Sequence, residues 1–363
     1  MKRGWLSTLF SHDLPRSRWL SLLLLLILLG LACAPFVFPG ARALNVAAKI
    51  LIFIVLVASY DLLLGYTGIV SFAHTMFFGI GAYGVAIASS RMGPGWPALA
   101  TGIAAALGLS LLLSLMVGLF SLRVRAIFFA MITLAVAAAF QTLASQLGAL
   151  TGGEDGISFA LPAQLTPAFQ LRSGPFFGVM LDGRLLSYYL LFGVTVLLFL
   201  ALLRIVNSPF GRVLQAIREN DFRAEAIGYR TVIFRTLSTV LAALFATLAG
   251  SLLAIWLRYN GADTSLSFEI MIDILLIVVI GGMGTMYGAV CGSAIFILAQ
   301  NYLQDLMGLA AHATDGLPLL PVLLSPERWL LWLGVLFVLS VYFFPTGIVG
   351  KLRRGEHFPA NRQ

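Results

Sequence analysis

Three stretches of this chain gather the residue types that could do chemistry. The first is Asp61-Leu-Leu-Leu-Gly65-Tyr-Thr-Gly68-Ile-Val-Ser71-Phe-Ala-His74-Thr-Met-Phe-Phe-Gly79-Ile-Gly81-Ala-Tyr83-Gly84, which mixes glycines, hydroxyls, a carboxylate and an imidazole into an apolar run. The second runs from Glu269 and Asp273, four apart and therefore on one helical face, to Gly281-Gly282-Met-Gly284-Thr285, with Gly288 and Gly292 beyond. The third, Ser208 to Gly228, carries Arg212, Arg218, Glu219, Asp221, Arg223 and Glu225 between two apolar runs where charge is otherwise thin. Carboxylates and imidazoles inside apolar segments are candidate proton relays or ion ligands. Asp61, His74 and Asp273 are the candidates for that work, although Glu269 should lie at the outer interface and Asp273 within one turn of it, where a purely structural role is the plainer reading. No catalytic constellation accompanies them: the chain holds no G-x-x-x-x-G-K-[ST] phosphate loop, no H-E-x-x-H and no G-x-S-x-G. Four scattered histidines and two cysteines in apolar runs give neither a metal-ligand spacing nor a disulfide framework. An enzyme is not indicated, and neither a directly bound cofactor nor a metal is expected.

The elements that must position these residues follow from composition. The chain has 363 residues, 60% hydrophobic and 10% charged, against about 25% charged in a soluble domain. The apolar runs reach the ~20 residues needed to cross a bilayer as helices, and they are continuous rather than alternating, which excludes a barrel. The fold class is therefore an all-α polytopic membrane protein, a single transmembrane domain over 1–363. Ten segments can be marked, at about 19–38, 43–64, 67–90, 97–120, 126–149, 186–206, 234–257, 267–283, 286–307 and 329–345; the eighth is short and broken by glycine, so eight or nine spans are the alternatives. The first run follows Lys2, Arg3, Arg16 and Arg18 and ends near Ala41-Arg42-Ala43. It exceeds the apolar core of a signal peptide, so a retained span is expected. With the N-terminus in the cytoplasm and strict alternation, 16 of the 23 basic residues fall on the cytoplasmic side, which supports both termini inside. The net charge of +8 then reports membrane orientation, and no nucleic-acid partner is implied. One long outer loop spans 150–185, and the charged segment 207–235 lies on the cytoplasmic side.

Two readings of the glycines stand side by side. Non-helical backbone at membrane depth is tolerated only where it is buried in protein or lines a cavity. The glycine breaks could therefore flank a translocation path lined by Tyr66, Gly68, Ser71, His74, Gly79, Gly81, Tyr83, Gly281, Gly282, Gly284 and Thr285. Equally, small residues let helices approach closely, and His74 could be a neutral imidazole bonded to a hydroxyl such as Ser71 or Thr75. Gly65-x-x-Gly68 and Gly281-x-x-Gly284 interrupt apolar runs in opposite halves, a faint hint of duplication. No paired charge stands out that could clamp both a carboxylate and an amine.

In the charged segment, Ser208 suits an N-cap and Pro209 the first helical position. Val213, Leu214 and Ile217 form an apolar stripe, and Glu219 precedes Arg223 by four, the favourable order for a helical pair. Asn220-Asp221 can restart a second short helix, which Gly228 would stop. Such a unit is either a connector lying on anionic lipid or a place where a soluble partner grips the membrane protein.

Taken in order, Gly65-Tyr-Thr-Gly68…Ser71…His74…Phe78-Gly-Ile-Gly-Ala-Tyr83, Arg123-Val-Arg-Ala-Ile-Phe-Phe-Ala, Leu150-Thr-Gly-Gly153…Gly156, Phe210-Gly-Arg…Ala216-Ile-Arg-Glu-Asn…Ala224-Glu-Ala-Ile-Gly228, Gly281-Gly-Met-Gly-Thr285…Gly288 and Pro345-Thr-Gly347 resemble the permease subunits of ABC importers for branched-chain amino acids, in the LivM-like branch. The resemblance covers about Leu44 to Gly350. It implies a permease of the bacterial inner membrane that carries branched-chain or related hydrophobic amino acids inward. Its implied partners are a second, related permease (a heterodimer), two ATP-binding subunits that hold ATP and Mg, and a periplasmic substrate-binding protein. It further implies that 150–185 is a periplasmic loop and that 207–235 couples to the ATPase through Gly211, Arg212, Arg218, Glu219, Arg223, Ala224, Glu225 and Gly228. Where the family often has Leu-Gly, this chain has Phe72-Ala73. Close relatives import urea or short-chain amides, and a proton-driven secondary carrier is the reading from another class.

Overall fold

The computed structural model describes residues 17–38, 40–120, 126–170, 182–313, 325–344 and 346–354. Arg123, Val124 and Arg125 of the resembling stretch lie outside these residues, and its remainder opens the fifth helix. Thirteen helices longer than one turn account for most of the described chain: α1 (Arg18–Val37), α2 (Ala41–Thr67), α3 (His74–Met92), α4 (Trp96–Phe120), α5 (Ala126–Gln146), α6 (Gly183–Val206), α7 (Pro209–Glu219), α8 (Asp221–Ala226), α9 (Thr231–Leu257), α10 (Phe268–Gly281), α11 (Met286–Ala313), α12 (Trp329–Phe343) and α13 (Gly347–Arg354). Among the described residues, nine helical segments are long and apolar enough to cross a membrane. The chain is an all-α polytopic membrane protein.

The predicted segment 67–90 is the exception to the nine. Its helix, α3, begins only at His74 and carries His74, Ser89, Ser90 and Arg91 among its apolar residues. At 19 residues it is still about 28 Å long, close to a hydrocarbon thickness of about 30 Å. Packing explains how so polar a helix is tolerated: α3 lies against α4, α9 and α5, with most of its side chains buried. Close approach is achieved by glycine. A Cβ on Gly81 would strike the Thr247 backbone of α9, and one on Gly84 would meet Gly102 and Ala106 of α4. Buried hydroxyls return to helix carbonyls or to each other: Ser251 Oγ donates to Gly81 O at 3.2 Å, and Thr247 Oγ1 to Ser110 Oγ at 2.6 Å.

The core therefore centres on α2, α3 and α9, with α6 and α11 against α2 and α10 beside α11. On α1, Leu22, Leu25, Leu26 and Leu29 point outward, as a membrane-facing helix requires. α10 has only 14 residues, about 21 Å, and reaches spanning length only together with the turn Ala262–Ser265 before it.

The described part of the 150–185 loop is folded. The strand β1 (Ile157–Ser158) pairs antiparallel with β2 (Tyr259–Asn260), Arg258 donates to Leu165 O at 2.9 Å, and Leu161 and Leu165 are buried. It closes one end of α3, α6 and α9.

Candidate functional site

Two places bring the candidate residues together, and they lie at opposite ends of α2. The first is a joint between helix ends. α2 stops at Thr67, and Gly68 closes it in the left-handed region (φ 74°), where an L side chain is disfavoured. The last four carbonyls of any helix lack intrahelical partners. The Gly65 carbonyl finds one in Arg218 of α7, whose Nη1 donates to it. A cation here also complements the negative end of the α2 dipole. One turn back, Asp61 is buried and its Oδ1 accepts the Gly284 amide at 2.8 Å. Its Oδ2 has no hydrogen-bond partner among the described residues.

Glycine is required for this geometry. A Cβ on Gly65 would collide with the Asp61 carboxylate and the Gly284 backbone. Gly284 (φ 79°) packs against Arg218 and the Gly65 carbonyl, and Gly347 of α13 presses on Gly282. The two glycine interruptions, far apart in sequence, thus meet face to face, with the exposed Arg218 bonded at their edge.

The charged segment is built much as its residues suggest, with two corrections. Pro209 opens α7 at its first position, Leu214 and Ile217 are buried, and Gly211 sits tight against the Val206 carbonyl. Ser208 occupies the N-cap position but does not bond forward; its hydroxyl donates back to Ile205 O at 2.6 Å. Nor does an ion pair join Glu219 to Arg223. α7 ends at Glu219 and Asn220 is extended (φ −160°), so the two residues belong to different helices. Asn220 instead caps α8, its Oδ1 accepting the Arg223 amide at 2.9 Å. α8 is tied to α9 by Asp221–Arg235 at 3.0 Å and by Thr231 Oγ1 donating to Glu225 Oε1 at 2.8 Å. Ala224 is buried, and Gly228 ends the unit at φ 96°. Arg212, Glu219 and Arg223 face outward. Beside them stand two residues not singled out from sequence: Phe222, 87% exposed, and Ile227, 67% exposed. An aromatic so exposed next to a charged segment is the signal that could have found them.

The other path candidates divide. Tyr66 and Ser71 are buried near the joint. Backbone 68–73 is not helical, and the Phe72 amide donates to Thr133 Oγ1 of α5 at 3.0 Å. His74 is fully enclosed, and its hydroxyl partner is Ser59 of α2 (2.9 Å to Nε2), not Ser71 or Thr75. Gly79 packs on Leu266 and Gly81 on α9. Tyr83 lines an apolar cavity of about 520 Å³ between α3, α4 and α5. Gly281 and Gly282 belong to the joint, and Thr285 Oγ1 donates to Gly282 O at 2.6 Å.

The second place is a cavity of about 670 Å³ where α2, α9, α10 and α11 meet. It holds a charge pair that the sequence did not reveal. Lys49 Nζ donates to Gln300 Oε1 at 2.9 Å, and Gln300 Nε2 donates to Asp273 Oδ2 at 3.3 Å. Glu269, Arg42 and Asn301 also line the cavity. Among the described residues no group of three metal-capable side chains occurs.

A family model described as "Branched-chain amino acid transport system / permease component" matches residues 42–341. The chain is 27% identical over 321 residues to the high-affinity branched-chain amino acid transport system permease protein LivM of Salmonella typhimurium, covering 84% of this chain and 74% of that one. The Escherichia coli protein of the same name is 27% identical over 325 residues, with the same coverage. A probable branched-chain amino acid transport permease protein LivM from Methanocaldococcus jannaschii is 28% identical over 167 residues, 46% of this chain and 47% of that one. No solved structure matches the chain.

Proposed function

Because the chain belongs to the branched-chain amino acid transport system permease family, we propose that it is a membrane subunit of an ATP-driven importer for branched-chain or related hydrophobic amino acids. In this reading it works with a second, related permease, two ATP-binding subunits that hold ATP and Mg, and an external substrate-binding protein. It lies in the bacterial inner membrane with both termini, α7 and α8 in the cytoplasm, as the distribution of lysine and arginine supports.

The observation that carries the mechanism is Arg218 of α7 bonded to the α2 end at Gly65 and packed against the Gly284 turn. A partner that moves α7 and α8 moves this contact, and with it the ends of α2 and α10. Arg212, Glu219, Arg223 and Phe222 form the outward face that such a partner would grip. Closure of the ATP-binding subunits would displace that face, and the joint would pass the displacement to the spans. Coupling of this kind requires contacts that differ between the two end states, and a cation held by one backbone carbonyl is a contact that can be made and released. The packed glycine joint then serves as the stiff link at the cytoplasmic end.

The test is uptake of labelled leucine by the assembled importer in proteoliposomes. The expected result is uptake that needs ATP inside the ATP-binding side and is indifferent to an uncoupler. Uptake that survives ATP depletion and collapses with an uncoupler would establish a proton-driven carrier, and uptake of urea in place of leucine would move the substrate assignment.

A further inference from the structure

The cavity at the far end of α2 holds an opposite-charge pair that does not close on itself. Lys49 and Asp273 are both half-buried, and both are engaged by the same neutral side chain, Gln300, which donates to one and accepts from the other. No ion pair joins them. An ammonium carries three donors and a carboxylate about four acceptor sites. Each therefore keeps hydrogen-bonding capacity directed to whatever fills the cavity. Placing such groups within a membrane protein is costly, and they mark substrate sites by default.

The neighbouring charges sharpen the picture. Arg42 is satisfied elsewhere, by Asp305 at 2.7 Å and by the Asn301 carbonyl at 2.6 Å. Glu269 sits exposed one helical turn from Asp273 on α10. Asp263, exposed and accepting from Gln141 at 3.3 Å, lines the cavity too, as do Asn45, Thr264 and Ser267; beside them Phe53, Phe78, Leu253 and Trp256 make an apolar wall. At about 670 Å³ the space lies in the range of about 300–1,000 Å³ usual for small-ligand sites. Of these charges only Lys49 and Asp273 are half-buried, and an ammonium and carboxylate so placed, bridged by one amide and with an apolar wall next to them, complement an amino acid with an aliphatic side chain.

We propose that Lys49 and Asp273 form a zwitterion-binding site in this cavity, Lys49 taking the α-carboxylate and Asp273 the α-ammonium of a branched-chain amino acid, with Gln300 holding the two charges apart when the site is empty. The proposal rests on the transport reading given above and names the place where cargo lodges. Lys49 and Gly65 are sixteen residues apart on one helix, about 24 Å. Cargo would therefore enter at the end of α2 opposite the joint. No covalent step is involved; the substrate's two charges replace the Gln300 contacts and leave again when the helix moves.

A single cysteine reports on the cavity directly. In the assembled importer with Cys33→Ser and Cys291→Ala, Ile270→Cys places a thiol on the cavity wall. Its rate of modification by a charged methanethiosulfonate is measured with leucine, with 4-methylpentanoate (no ammonium) or with isoamylamine (no carboxylate). Leucine should slow modification strongly, and each one-charge analogue should need about tenfold more for the same protection, as loss of a charge-assisted contact implies. Lys49→Gln and Asp273→Asn should each abolish the advantage of leucine over the analogue lacking the matching charge, whereas Lys49→Arg should keep it. Equal protection by leucine and both analogues in the reporter with Lys49 and Asp273 intact, or no protection while that reporter still takes up leucine, overturns the site and leaves the transport reading standing; its uptake shows that the reporter is folded. If Lys49→Gln and Asp273→Asn leave the leucine preference unchanged, the two residues only tie α2, α10 and α11 together. Absence of leucine uptake by the unsubstituted importer would instead overturn the transport reading.

Discussion

The two ends of α2 are made of opposite materials. At one end, backbone meets backbone: Gly65 against Gly284, Gly282 against Gly347, with one buried carboxylate and one guanidinium as the polar contacts. At the other, long side chains reach into a cavity, and Lys49, Gln300 and Asp273 touch through their tips. Close-packed backbone has few ways to deform and transmits displacement, because packed interiors are not continuously compressible. Side-chain tips around a void can change partners at little cost. The packed end is suited to pass on a displacement and the cavity end to hold a ligand, as the two proposals require.

Breaking the contrast at its stiff end should have the largest effect. Gly65→Val puts its side chain into the Asp61 carboxylate and the Gly284 backbone, and overpacking of this kind costs about 3 kcal/mol or more when backbone must yield. The expected outcome is a large loss of folded protein, read by size-exclusion of detergent extracts after stepped heating. Gly108→Val is the control, since a Cβ there meets no atom within 4 Å. Equal survival of both variants would show that the joint is looser than its contacts indicate.

Arg218→Met comes next. It removes the donor to Gly65 and leaves the stem that packs beside Gly68. Uptake should fall about tenfold or more, an energy within the usual range of coupling between sites, while ATP hydrolysis by the assembled importer continues. A parallel fall in hydrolysis and uptake would place Arg218 in assembly instead of transmission. Phe222→Ser should do less to the subunit itself, because the ring is exposed, and stability should change by no more than about 0.5 kcal/mol. If Phe222 is an anchor for the ATP-binding subunit, its loss weakens co-purification by about 2 kcal/mol, roughly thirtyfold in affinity.

How much of this was legible from the chain depends on the range of the contact. The spans were readable because apolar runs report burial or lipid directly, and the ends of α7 and α8 because Pro209, Asn220 and Gly228 act through their own backbones. α3 was readable as a segment, yet its place at the centre of the bundle was not, since its glycines acquire meaning only from Thr247 and Gly102 across from them. Arg218 lies 153 residues from Gly65, and Lys49 lies 251 from Gln300. No local pattern encodes such pairs. His74 was expected to bond within its own turn, but the hydroxyl that reaches it, Ser59, comes from the neighbouring helix. Gln300 drew no notice because an amide in an apolar run has no motif around it.

The smallest effect tests the corrected reading of the charged segment. Regular spacing puts Glu219 and Arg223 on one helical face, but the extended Asn220 ends α7 between them and starts α8 in a new direction. The pair that forms instead is Asp221–Arg235, at 3.0 Å across α8 and α9, both side chains about a third exposed. Ion pairs at such positions are worth about 0.2–1 kcal/mol. A double-mutant cycle with Asp221→Asn and Arg235→Gln, read by thermal unfolding in detergent, should therefore give a coupling in that range. The same cycle on Glu219→Gln and Arg223→Gln should give a coupling near zero, within the additivity expected of residues that do not touch. If the second cycle gave the larger coupling, α7 and α8 would have to join into one continuous helix, and Phe222 would then point in a different direction. The order of these two small energies thus decides how the exposed face of α7 and α8 is shaped.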